Sequence, residues 1–304
     1  MPADTLTQEP SQKLPAWFKQ DLPDLAKIRE MKESFRSDRL HTVCESARCP
    51  NLGKCWGKGV ATFMILGNIC TRACRFCAVA AGLPEKVDKD EPCNVALTVK
   101  EMNLRYAVIT SVARDDLADE GAGHFADVIR QIKELTPLTK VEVLIPDFSG
   151  KAELLRIVAD AHPEVMSHNI ETVRRLSPKV RPQAQYQRSL DVLASLKTLD
   201  KTIFTKSSFM LGLGEQEKEI EDVMRDLRSV DCDILTIGQY LAPSKSKRHL
   251  KVERFYSPEE FNAFKTMGLS LGFKSVLSAP LVRSSYIAEE GYNECAKTIF
   301  SQVR

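Results

Sequence analysis

Residues 59–79 read GVATFMILGNICTRACRFCAV, and on this stretch the fold is decided. Residues 61–66 make an apolar strand, and directly after it come Cys70, Cys74 and Cys77, spaced C-x3-C-x2-C with Phe76 just before the last cysteine. Three thiolates on one short loop can hold three irons of a cubane cluster and leave the fourth open to a small molecule. Zinc fits less well, because structural zinc takes four ligands, usually as two close pairs, and three thiolates from one loop are uncommon at a catalytic zinc.

The strand before these cysteines is the first of six. Further short β-rich runs fall at 106–110, 141–145, 165–168, 202–210 and 234–239. Between them lie stretches with helical apolar spacing, such as Phe125, Val128, Ile129 and Ile132, or Leu190, Leu193, Leu196 and Leu199. Six successive βα units predict an α/β fold with a parallel sheet covered by helices. Polar or glycine-rich residues follow most of the strands, at 70–77, 111–116, 169–171 and 212–215. In βα barrels the chemistry sits at this carboxyl end. The expected architecture is therefore a partial (βα)6 TIM-type barrel over 60–272, with a doubly wound open sheet as the alternative. Residues 1–59 read as an N-terminal extension with Pro10, Pro15 and Pro23, a helix near 25–36, and Trp17 and Phe18 as anchors; residues 273–304 form a C-terminal segment.

Composition narrows the class. The chain has 304 residues, 43% of them apolar, which is ample for a large core, and a net charge of +2, which gives no global field for nucleic acid. No run approaches the roughly 20 apolar residues of a membrane helix. The opening MPADTLTQEP has neither a signal nor a transit pattern, so the expected location is cytoplasmic, or an organelle interior if processed. Six of the nine cysteines crowd between Cys44 and Cys77. A disulfide framework suits small secreted domains, so metal ligation is the better reading here. Cys44, Cys49 and Cys55, spaced C-x4-C-x5-C and ending fifteen residues before the second triplet, suggest a second, auxiliary cluster. Cys93, Cys232 and Cys295 read as ordinary thiols. The basic run 245–251 reads as a solvated loop or as a dock for an acidic carrier domain.

The C-x3-C-x2-C spacing with its aromatic resembles the signature of the radical S-adenosylmethionine superfamily. The resemblance implies a 4Fe-4S cluster whose open iron chelates S-adenosylmethionine, for attack on unactivated C–H bonds. CESARCPNLGKCW at 44–56, LVRSSY at 281–286, and the blocks ITSVARDDLADEGAGHFADVI, VLIPDF, HNIETV, MLGLGE and LTIGQYLAPS are similar to motifs of the lipoyl synthase family. That resemblance implies insertion of sulfur at carbons 6 and 8 of an octanoyl group amide-linked to a carrier-domain lysine. It implies two 4Fe-4S clusters and S-adenosylmethionine as cofactors, with the auxiliary cluster supplying the sulfur. Cys70, Cys74 and Cys77 would hold one cluster and Cys44, Cys49 and Cys55 the other. Ser285 would be its fourth ligand, with Ser284 as the other choice, and the C-terminal segment would fold back over the barrel mouth. Contacts to S-adenosylmethionine would come from Phe76, Thr110, Ser111, Asn169, Glu171, Arg181, Gly212 and Glu215. Partners would be octanoylated lipoyl-carrier domains of 2-oxoacid dehydrogenase complexes and the glycine cleavage H protein, and a reductant such as ferredoxin or flavodoxin, with no nucleic acid and no membrane. Ser208 stands where the superfamily usually has glycine, and Gln183 where the family usually reads RPGA. Two other readings compete: another two-cluster radical enzyme, sulfur-inserting or methylthiolating, and a zinc-dependent binding module.

Overall fold

The computed structural model describes residues 13–19, 24–47, 49–57 and 60–302; Pro10, Pro23 and the rest of the expected extension at 1–12 and 20–23 lie outside the described residues. Its strands are β1 (His41–Thr42), β2 (Ala61–Ile65), β3 (Ile69–Cys70), β4 (Ala80–Ala81), β5 (Tyr106–Ser111), β6 (Lys140–Leu144), β7 (Val165–Ser167), β8 (Phe204–Leu211), β9 (Ile234–Gln239) and β10 (Ser275–Ser278). The main sheet has the order β1-β2-β5-β6-β7-β8-β9-β10. All pairs from β2 to β10 are parallel, and β1 is antiparallel on the β2 edge. All six expected strands are present. The sheet also gains β10, a seventh parallel strand in the segment expected only as a C-terminal cover. Its four residues, Ser275 to Ser278, are too short and too polar at their ends to announce a strand; they pair because β9 offers an open edge.

Strand alternation divides the core. One face of the first half of the sheet, including Ala107, Ile109, Val141, Val143 and Met166, packs under the helices Glu91–Glu101, Ala122–Leu135 and Ala152–Ala159. In the second half, Phe209, Leu211, Leu235, Ile237 and Val276 pack under the helices Tyr186–Leu199, Glu217–Ser229 and Pro258–Ser270. The opposite face lines the bore. There Tyr106, Val108, Val165, Phe204 and Ile234 meet the terminal helix Ala288–Gln302. Tyr292 sits 6.0 Å from the Tyr106 ring and 5.8 Å from the Phe204 ring. Most of these partners are the first residues of their strands, so the helix plugs the amino-terminal end of the bore and leaves the carboxyl end for chemistry. Above the plug, Lys206 Nζ lies 2.7 Å from Glu142, which also accepts a hydrogen bond from the Tyr106 hydroxyl at 2.8 Å.

Phe18 is buried against Phe255, at 5.7 Å between rings, whereas Trp17 is exposed; only one of the two expected anchors is buried. Among the described residues, no helix is long and apolar enough to cross a membrane.

Candidate cluster and cofactor site

β2 delivers its loop through a sharp turn. Leu66 and Gly67 both adopt positive φ, +67° and +91°, and the Leu66 N–H donates to Glu91 Oε2 at 2.8 Å. β3 then pairs in parallel with β4, matching Cys70 to Ala81, so the segment carrying Cys74 and Cys77 is cinched into a noose. Cys70 Sγ accepts backbone hydrogen bonds from Arg72 (3.4 Å) and Ala113 (3.3 Å).

Distant segments hold the noose in place. Arg72 donates to Asp115 at 2.6 Å and to Asp147 at 2.7 Å. Burial alone would raise the Asp147 carboxyl, but the Arg72 hydrogen bond and charge hold it below the usual carboxylate range. Ala73 N–H donates to Gln183 Oε1 at 3.1 Å, so the residue that departs from the family pattern contacts the loop between Cys70 and Cys74. Arg75 N–H donates to Val180 O at 2.8 Å. From the basic run, Arg248 donates to Val79 O (3.0 Å) and the His249 ring lies 3.0 Å from Cys77 O. Burial pushes the Cys74 thiol up to about 12 and raises Cys77, so both favour the neutral thiol until a metal takes the proton's place.

The residues expected to contact S-adenosylmethionine stand at strand carboxyl ends and differ in what they leave unmet. Ser111 Oγ, Asn169 Oδ1 and Arg181 Nη2 are buried with no hydrogen-bond partner. Arg181 Nη1 donates to Asn169 O at 3.0 Å and Asn169 Nδ2 to Glu171 Oε1 at 3.0 Å, so three of the residues form one network. Burial raises the Glu171 carboxyl to about 7, against the opposing pull of Asn169 and Arg181. Thr110 donates its hydroxyl to Leu144 O at 3.1 Å. Phe76 packs against the second core cluster. Gly212 takes φ +110°, and the Glu215 carboxylate folds back onto the Gly212 and Leu213 N–H groups. Glu215 thus holds the glycine turn from within.

The first triplet builds a separate site. Cys44 lies on the helix Val43–Ser46, whose N-cap Thr42 accepts from Glu45 N–H. Cys49 N–H donates to Cys44 O (2.9 Å), Cys55 follows on the helix Leu52–Gly57, and Asn51 Nδ2 donates to Leu281 O (2.6 Å), fastening the C-terminal segment here. Cys44, Cys49 and Cys55 line one cavity with Asn51, Val60, Thr62, Arg283, Ser285 and Tyr286. Ser285 is on that wall; Ser284 is not. Burial pushes the Cys44 thiol up to about 12 and raises Cys49, while desolvation also lowers the Arg283 guanidinium against the opposing pull of Cys49. Lys54 Nζ sits 5.6 Å from the Tyr286 ring centroid.

Both donor sets fit iron–sulfur clusters. Among the described residues, no three His, Cys, Asp or Glu side chains converge tightly enough for a single metal ion, as the zinc reading requires. Thiolates that each take a different iron need not converge in that way. A half-buried cation on the wall of the first triplet's cavity suits an anionic cluster, and orphaned polar atoms beyond the second suit a polar ligand. Spacing alone had singled out the cysteines. It offered no signal for Arg72, Asn51 or Arg283, which are ordinary charged or polar residues until the chain folds.

Residues 64–227 match the family model of the radical SAM superfamily, which makes this a radical SAM protein, with S-adenosylmethionine and 4Fe-4S clusters as its cofactors. The fold agrees: the crystal structure of Streptococcus suis SuiB bound to S-adenosylmethionine superposes with a TM-score of 0.52 at 11% identity, over 71% of this chain and 49% of that one, so this chain spans about half of SuiB. Residues 4–49 match the N-terminal domain of lipoyl synthase. The lipoyl synthase of Rubrobacter xylanophilus is 56% identical over 91% of this chain and 85% of its own length, and that of Caldicellulosiruptor saccharolyticus 52% over 91% and 97%. The chain belongs to the lipoyl synthase family.

Proposed function

We propose that this chain inserts two sulfur atoms, at carbons 6 and 8 of an octanoyl group amide-linked to a lysine of a lipoyl-carrier domain, and that its two cysteine triplets hold clusters with different jobs. The observation that carries the reading is the cavity in which Cys44, Cys49, Cys55 and Ser285 meet, separate from the noose of Cys70, Cys74 and Cys77. When bound, the cofactors supply hydrogen abstraction from an unactivated C–H bond and the sulfur that replaces the hydrogen.

The chain's own residues supply the geometry. Cys70, Cys74 and Cys77 hold the reducible cluster, with Phe76 packing the loop against the core. Ser111 Oγ, Asn169 Oδ1 and Arg181 Nη2 take polar atoms of S-adenosylmethionine, which would satisfy groups otherwise buried unpaired. Thr110, Glu171, Gly212 and Glu215 shape that pocket, Glu215 by fixing the glycine turn. Ser285, on the same cavity wall, would be the fourth ligand of the auxiliary cluster, where a hard oxygen donor among soft thiolates would supply the most readily released bond. Arg283 offsets the negative charge gathered there. The carrier domains of 2-oxoacid dehydrogenases and the glycine cleavage H protein are the partners this chemistry implies.

Two triple variants test the division of labour. Cys44→Ala/Cys49→Ala/Cys55→Ala should still form 5′-deoxyadenosine from S-adenosylmethionine yet give no thio-product by mass spectrometry of an octanoylated carrier peptide. Cys70→Ala/Cys74→Ala/Cys77→Ala should form neither. Thio-product from the first variant would remove the sulfur-donor role.

A further inference from the structure

The segment 241–252 contains Lys245, Lys247, Arg248, His249 and Lys251 and no acidic residue. Two of these residues are committed to the cysteine noose: Arg248 donates to Val79 O, and His249 lies one hydrogen bond from Cys77 O. Arg75 on the noose returns the contact, donating to Arg248 O at 3.2 Å and accepting from Leu250 N–H at 3.2 Å. Lys245 and Lys247 are exposed, and among the described residues neither forms an ion pair. The cation on the other side of the noose differs, since Arg72 is neutralised by Asp115 and Asp147. Beyond Val79 the chain runs into β4, where Ala80 and Ala81 are exposed and Leu83 is 88% exposed. An exposed apolar strip that starts one residue after Val79, which Arg248 holds, and a loop with two unpaired lysines have the make-up of a small docking patch, apolar in the middle and charged at the rim.

We propose that this surface, the 245–251 loop with the 80–83 strip, docks an acidic one-electron donor protein of the flavodoxin class and passes its electron to the cluster held by Cys70, Cys74 and Cys77. The proposal rests on the function proposed above, which requires that this cluster be reduced. One electron leaves the donor's reduced flavin, which is oxidised, and arrives at the cluster, which is reduced; no proton or group is transferred. Position argues for a donor rather than a carrier domain. Through His249 the loop holds the backbone of Cys77 in the second triplet, whereas the acyl chain must receive its sulfur at the separate cavity lined by the first triplet and Ser285. An electron needs only the second triplet, and here a single hydrogen bond separates the basic loop from the backbone of Cys77.

The test compares the holoenzyme with Lys245→Glu/Lys247→Glu and, separately, Leu83→Ser. 5′-Deoxyadenosine formation is driven either by reduced flavodoxin or by dithionite, and flavodoxin binding is measured independently by biolayer interferometry at several salt concentrations. The charge reversal should raise both the KM and the Kd for flavodoxin roughly tenfold at low salt and flatten their salt dependence, as loss of rim charges does. Leu83→Ser should weaken binding without changing the salt slope. With dithionite, both variants should match the parent within about twofold, since a small reductant needs no docking surface. Unchanged flavodoxin binding overturns the proposal, as does equal loss with dithionite. A rise in KM for the octanoylated carrier alone would give the surface to the carrier and also overturn it. If the parent with dithionite forms no 5′-deoxyadenosine, it is the underlying function that fails, and the variants are not needed to see it.

Discussion

A Cβ on Gly212 would lie 2.0 Å from Gln239 Nε2 and 2.7 Å from the Arg254 carbonyl oxygen, at a φ of +110° that side chains rarely adopt. Gln239 cannot move aside cheaply, because its side chain donates to Arg254 O at 2.8 Å and accepts from Tyr256 N–H at 2.9 Å. Gly212→Ala should therefore cost about 2–4 kcal/mol in urea unfolding; a loss below about 0.5 kcal/mol would show that the turn is not constrained. His168 makes a different residue-level demand. Its ring is buried, with Nδ1 3.0 Å from Ile145 O and Nε2 2.9 Å from Ser189 Oγ, and burial pushes its pKa down from 6.5 to about 4. Between those values the unfolded chain binds more protons than the folded one, so His168 makes stability fall as pH drops from 6.5 towards 4. His168→Gln should lower Tm throughout yet remove that component of the slope. Parallel Tm–pH curves for variant and parent across this window would contradict the assignment.

The noose after β2 was legible as an element because its cysteine spacing is a chemical constraint that sequence displays directly. Its supports were not: Arg248 and His249 lie 169 and 172 positions beyond the residues they hold, and no periodicity connects them. β10 was equally hidden, since it is strand by virtue of the neighbouring β9 edge rather than of its own composition. The terminal helix shows the same dependence. Its Tyr292 fills the space between Tyr106 and Phe204, so Tyr292→Ala should open a cavity in the plug and cost about 2–3 kcal/mol in urea unfolding, less than a fully buried aromatic because the side chain is part exposed. Assembly of the clusters, measured as iron per chain, should survive because the plug lies at the opposite end of the bore. Loss of iron with little change in stability would reverse that assignment.

Across the whole molecule, Lys206 of β8, Glu142 of β6 and Tyr106 of β5 tie three strands through the bore, with Lys206 and Glu142 almost completely buried. Removing one charge strands the other, so Lys206→Met should cost about 3–5 kcal/mol in urea unfolding. Adding Glu142→Gln should restore most of that loss, because a neutral amide can still accept from the Tyr106 hydroxyl. Equal instability of the single and double variants would mean that packing, rather than stranded charge, sets the cost.

The amino-acid sequence by itself determined the six βα units, through apolar periodicity, and singled out the two cysteine triplets, through their crowding and spacing. Both are short-range patterns, and covalent order preserves them. The family resemblance had already pointed to Ser285; the tertiary structure showed that Ser285 lines the cavity of Cys44, Cys49 and Cys55 while Ser284 does not, and it alone decided that Arg283 stands half-buried on the same wall and that Glu215 turns inward on Gly212. It also decided that the terminal helix plugs the amino end of the bore while residues 281–286 stay with the first triplet. These outcomes depend on which side of a folded chain a residue meets, and side-chain direction at a contact more than two hundred residues distant is set by packing, which no local pattern encodes.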